Sequence, residues 1–147
     1  MPVDVETQIE ILRPRAEVAA FAADPGNATA WYRNIKRVEW RTEPPLAVGS
    51  RIAFAAEFMG RRMAYTYEVV AHSPGERLVM RTADGPFPME TTYAWADAPG
   101  GATLMVLRNR GEPAGFSRVG TPMMAAAMRR ANRGDLERLK AVLEARP

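Results

Sequence analysis

Residues 51–71 read RIAFAAEFMGRRMAYTYEVVA, and this stretch decides the fold. Apolar and polar side chains alternate on either side of Gly60-Arg61, as they do in two half-buried strands joined by a tight turn. Successive strand side chains point to opposite faces. With Glu57 in water, Ile52, Phe54, Ala56 and Phe58 turn inward. With Glu68 in water, Met63, Tyr65, Tyr67 and Val69 turn inward too. The connection is far too short for a parallel crossover, so the two strands pair antiparallel.

The same punctuated pattern continues in both directions. Strands are expected over 36–42, 51–59, 62–71, 77–82, 88–96 and 102–110, separated by Gly- and Pro-containing turns. Leu78 and Met80 point in while Arg77 and Arg81 point out. Met89, Tyr93 and Trp95 share one parity and are placed inside. The last strand is apolar on both parities, and Met105, Leu107 and Asn109 are assigned inward. Ahead of this run, 3–12 alternates as a further strand. Pro14 suits a first helical turn, Val18, Ala19, Phe21 and Ala22 recur at helical spacing, and Asp24-Pro25-Gly26 ends that helix. Asn27 is expected to cap a second short helix ending near Tyr32, with Trp31 on its buried side.

The end of the chain is helical. Residues 125–128 and 135–144 are strong helix formers. Thr121-Pro122 reads as an N-cap and first helical position, with Pro122 left open as a kink after a turn at 116–119. Met124, Met128, Ala131, Leu139 and Val142 fall on one face. The order is strand, two short helices, six strands and one long helix, an α+β arrangement. A curved antiparallel sheet must bury one face against that helix. The short helices close one end, and a cavity is expected between sheet and helix.

Four stretches carry a resemblance. They are ILRPRAEVAAF (11–21) with Asp24-Pro25 and Trp31, VEW (38–40) with PLAVGSR (45–51), YEVVAHSPGERL (67–78), and LERLK (136–140) with Leu143-Glu144. In this order they resemble the START/Bet v 1-like (SRPBCC) superfamily, and within it the polyketide cyclase/dehydrase and lipid transport group. The resemblance spans nearly the whole chain. It implies one domain over 1–147 with the helix-grip fold: a seven-stranded curved antiparallel sheet around a long C-terminal helix, enclosing a hydrophobic-ligand cavity. It implies no particular reaction, because the superfamily holds binders, transporters and enzymes.

Composition removes several chemistries. The 147 residues include no cysteine and one histidine, so thiolate nucleophiles, zinc-thiolate sites and histidine pairs are excluded. No metal and no cofactor is expected. His72, in His-Ser-Pro-Gly, reads as an exposed turn residue rather than a general base. Ser73 and Ser117 have no triad partners, and Gly100-Gly101 is only a turn. The net charge of +3 is local: residues 116–147 carry seven Arg or Lys against three acids. No basic stretch interleaves with aromatics, so nucleic acid is not an expected partner. No apolar run is long enough to span a bilayer. Asp4, Glu6 and Glu10 argue against a secretory leader, and a cytoplasmic protein is expected.

The ligand contacts expected from parity are Trp40, Phe54, Phe58, Met63, Tyr65, Tyr67 and Met80. Met89, Tyr93, Trp95, Met105, Asn109, Met124 and Met128 complete that set. The methionines, with Met123 among them, suit a malleable apolar pocket or ordinary core filling. Trp31 and Trp40 flank the second short helix as rim or packing. Buried tyrosine hydroxyls want partners, which a ligand, water or backbone could supply. Tyr65, Tyr67 and Tyr93 are therefore the catalytic candidates, with Asn109 and Arg108 as further polar groups. The leading expectation is carriage or sensing of a small hydrophobic molecule, such as a lipid or aromatic polyketide. A cyclase, aromatase or dehydratase acting in the same cavity is the alternative. An interaction module using Arg129, Arg130 and Arg133 of the basic last helix is a third reading. A homodimer also stays open.

Overall fold

The computed structural model describes residues 3–85, 87–112 and 121–147. The deciding stretch forms strands β3 (Arg51–Phe58) and β4 (Arg61–Ser73). Phe54 sits opposite Tyr65 and Ile52 opposite Tyr67. The turn lies one residue earlier than the sequence suggests, at Met59-Gly60. Both residues have positive φ, 53° and 75°. Two such residues match the right-handed twist of the flanking strands, which is why hairpins favour this turn.

The remaining strands are β1 (Val3–Ile11), β2 (Ile35–Trp40), β5 (Arg77–Asp84), β6 (Met89–Ala98) and β7 (Ala102–Gly111). They form one seven-stranded antiparallel sheet in the order β1-β7-β6-β5-β4-β3-β2. Between β1 and β2 lie α1 (Arg15–Ala23), a 3₁₀ turn and α2 (Ala28–Trp31). The long helix is α3 (Thr121–Glu144). This is the helix-grip architecture. The expected turn at 116–119, Ser117 and the capping side chain of Thr121 lie outside the described residues.

Helix placement decides where space remains. The backbone of α3 packs closest to β1 and α2, while α1 sits over β6 and β7. One end of the concave face is therefore filled. Leu136, Leu139 and Leu143 of α3 share a core there with Ile11, Val18, Trp31, Trp95 and Met105. A smaller cluster at the opposite end holds Val3, Val5, Met124 and Met128. The C-terminus of α3 is clamped to the first strand and helix. Arg13 donates to the carbonyls of Leu143 at 3.0 Å and Glu144 at 3.3 Å, and also to that of Arg146. Glu144 accepts the Leu12 N–H at 2.8 Å. These bonds satisfy carbonyls that a helix end leaves unpaired.

Three local expectations need correction. Asn27 does not cap α2 with its side chain. Its backbone is already helical, whereas an N-cap is extended, and its Nδ2 donates to the Phe21 carbonyl instead. Asp24 caps the preceding 3₁₀ turn, accepting the Gly26 N–H at 2.9 Å, and no side chain among the described residues caps α2. His72 is a half-buried residue of β4 opposite Leu78, because that strand runs on to Ser73. The buried face of α3 also differs. Val142 is only half-buried, and Asn132 and Asp135 are buried among the apolar positions. Among the described residues no helix is long and apolar enough to cross a membrane. No group of three or more metal-ligating side chains occurs among them either.

Candidate functional site

Between α3 and the open part of the concave face lies a cavity of about 150 Å³. Its floor follows from strand parity. β3 contributes Phe54, Ala56 and Phe58, β4 contributes Met63, Tyr65 and Tyr67, and β5 contributes Met80 and Thr82. Met89, Thr91 and Tyr93 come from β6 and Asn109 from β7. Met124, Met128, Ala131, Asn132 and Asp135 of α3 form the roof, and Ala28 and Tyr32 close one end. Gly85 helps to set Tyr65: a Cβ at Gly85 would stand 2.8 Å from Tyr65 Cβ, so only glycine lets the two strands approach this closely.

Eleven of the fourteen expected contacts lie on this wall: Phe54, Phe58, Met63, Tyr65, Tyr67 and Met80, then Met89, Tyr93, Asn109, Met124 and Met128. Trp40, Trp95 and Met105 do not. Trp95 and Met105 do face inward, but the packed core around α1 and the C-terminal half of α3 covers them. Trp40 is half-buried on the β2 edge and packs against that core. Arg108 is removed from the polar candidates. It lies on the outer face in a two-pronged pair with Asp4, at 2.9 and 2.6 Å. Met123 is exposed on the first turn of α3. Arg129, Arg130 and Arg133 are exposed as well, and none of them lines the cavity.

Two polar groupings interrupt the apolar wall. In the first, the Thr91 hydroxyl donates to Asn109 Oδ1 at 2.6 Å, and its oxygen lies 2.9 Å from the Tyr67 hydroxyl. The single Thr91 proton is thereby committed, so Tyr67 is the donor to Thr91. In the second, the Tyr32 and Tyr93 hydroxyls meet at 2.6 Å. Tyr32 was not singled out in the sequence, where it appears only as a helix end.

Burial raises the pKa of all these tyrosines, that of Tyr67 to about 12. They remain protonated near neutrality and act as hydrogen-bonding groups. Asp135 is different. Burial lifts its carboxyl to about 6. The Arg33 N–H at 3.0 Å and the Arg138 guanidinium at 3.6 Å oppose that shift. Its negative charge adds to the effect of burial on Tyr32, Tyr65 and Tyr93, which line the same cavity. Asn132 stands one turn earlier on α3, and its buried Nδ2 has no hydrogen-bond partner among the described residues. Neither residue was a sequence candidate, because polar residues on a helix read as its solvated side. Their signal was there: both fall within the apolar stripe, Asn132 four residues after Met128 and four before Leu136.

Comparison with solved structures places this geometry among known folds. A START superfamily protein from Mycobacterium smegmatis superposes with a TM-score of 0.82 at 15% identity, covering 96% of this chain and 97% of that one. The Zhui aromatase/cyclase from Streptomyces sp. R1128 gives 0.77 at 18% identity, over 98% and 94%. Ginseng major latex-like protein 151 from Panax ginseng gives 0.73 at 15% identity, over 95% and 96%. At these identities the likeness is one of fold. No curated protein matches the chain. The family model described as polyketide cyclase / dehydrase and lipid transport matches residues 2–144. With nearly the whole chain matched and the helix grip in place, the chain belongs to the polyketide cyclase / dehydrase and lipid transport family, within the START/Bet v 1-like superfamily.

Proposed function

We propose that the protein binds a small, mostly apolar ring compound in this cavity, for carriage or sensing. The observation that carries the reading is the cavity itself, with an apolar wall and polar groups gathered at a few points. Its size narrows the ligand. Pockets for drug-sized molecules start at about 300 Å³, and a dry cavity of about 150 Å³ accepts benzene. A compound of one or two rings therefore fits better than a long acyl chain or a multi-ring polyketide. Five methionines on the wall (Met63, Met80, Met89, Met124 and Met128) let it adapt to an irregular outline. Calorimetric titration with one- and two-ring aromatics tests the reading. Saturable binding that is lost when Ala56→Leu fills the cavity supports it. Absence of binding across such a panel removes it.

A second reading, catalysis of a cyclisation or dehydration, is favoured by one observation. Asp135, whose carboxyl burial lifts to about 6, lines the same cavity as the hydrogen-bonded Tyr32–Tyr93 pair, and together they offer a bound carbonyl compound a proton acceptor and one free hydroxyl donor. Under this reading, Asp135→Asn and Tyr93→Phe each lower turnover of a short β-keto substrate by about 10²-fold. A substrate turned over equally by all three proteins removes it.

A further inference from the structure

Among the described residues, three buried N–H donors lack a hydrogen-bond partner: Trp31 Nε1, Trp95 Nε1 and Asn132 Nδ2. The two indoles lie in the packed core, and only Asn132 borders the cavity. Buried donors are almost always paired, so an unpaired one at a cavity wall calls for a partner from inside the cavity. Asn132 is 6% exposed and Asp135 3%. Three positions apart on α3, they sit side by side on one helix face. The Oδ1 atom of Asp135 is engaged by the Arg33 N–H and faces Arg138, and no hydrogen bond to a described residue occupies Oδ2. Among the described residues, an unpartnered donor thus shares one face of α3 with a carboxylate whose second oxygen has acceptor capacity to offer.

We propose that Asn132 and Asp135 form a subsite that recognises the hydroxyl group of a phenol- or enol-type ring compound. This rests on the cavity being a ligand site. A hydroxyl oxygen accepts from Asn132 Nδ2 while its proton is donated to Asp135. An ether only accepts, and a hydrocarbon does neither. The apolar floor takes the ring, and the pair on α3 fixes which edge of the ring points at the helix.

The test uses three probes of nearly one shape: 2-naphthol, 2-methoxynaphthalene and naphthalene, each titrated into the full chain. The expected result is 2-naphthol binding at least about tenfold tighter than the other two, the effect of hydrogen bonding to a charged group. In Asn132→Leu and in Asp135→Asn that preference, read as the ratio of 2-naphthol to naphthalene affinity within each variant, shrinks to about twofold or less, with far-UV circular dichroism reporting that the fold is intact. Equal binding of all three probes to the wild type overturns the subsite but leaves the cavity reading standing. Binding of none overturns both. The wild-type comparison decides even if a variant fails to fold.

Discussion

The hydroxyl oxygens of Tyr32 and Tyr93 lie 2.6 Å apart, joining the end of α2 to the centre of β6 across one end of the cavity. The Trp31 ring also packs on Tyr93, at 5.7 Å between ring centroids, so the two contacts hold the end of α2 against the sheet. Removing either hydroxyl leaves the other buried without its partner. Tyr32→Phe and Tyr93→Phe should each cost about 1–2 kcal/mol. The double variant should cost little more than one of them, a coupling of about 1 kcal/mol in urea unfolding. Strict additivity would mean that the two hydroxyls do not depend on each other.

Asp135 gives stability a definite pH dependence. Its carboxyl is raised to about 6 in the fold from an ordinary value of 3.8. The folded state therefore holds the proton more tightly than the unfolded chain. The stabilisation is fully present below about pH 4 and is lost as the pH rises through about 6. Asp135→Asn removes this dependence and keeps an acceptor for the Arg33 N–H. It should be more stable than the wild type at pH 8 by up to about 3 kcal/mol, and nearly equal to it at pH 3.5. Thermal melts of both proteins across that range measure the difference. A wild-type advantage at pH 8 would contradict the assignment.

The two halves of α3 should respond differently to truncation. Leu139 is wholly enclosed in the main core, whereas Met128 borders empty space. Leu139→Ala should cost about 3–5 kcal/mol, and Met128→Ala about 1 kcal/mol, because the latter side chain already lacks neighbours on one side. Equal losses in urea unfolding would show that the roof of the cavity is packed as tightly as the core.

Filling the space is the complementary experiment. Ala56 is on the floor of the cavity, opposite Met63 in the register of β3 and β4. Ala56→Leu should change stability by less than about 1 kcal/mol, since the added atoms enter a void instead of overpacking a core. A loss above about 3 kcal/mol would mean that the space is not there.

Much of this was legible from alternation alone. The parity set by Glu57 and Glu68 turned Phe54, Tyr65 and Tyr67 inward, and all three line the cavity. Parity says which face a side chain takes, but not which part of that face is covered. Trp95 and Met105 point the same way as Tyr93 and Asn109, yet α1 and the leucines of α3 bury them away from the cavity. The polar residues of the site were harder to see. Asn132 and Asp135 interrupt an apolar stripe, and on a helix such interruptions are ordinarily solvated. Tyr32 follows a helix of four residues, too short to show any periodicity. The pairing of Tyr32 with Tyr93 depends on how α2 docks, and that is decided by contacts 61 residues apart in the chain.

Methionine-methyl NMR during titration with 2-naphthol tests the central claim most directly. The protein carries methionines both on the cavity wall and on the surface. Saturable shifts of the Met63, Met80, Met89, Met124 and Met128 methyls are expected, with the exposed Met59 and Met123 unmoved. Shifts confined to Met59 and Met123, or no shifts at saturating probe, would contradict it.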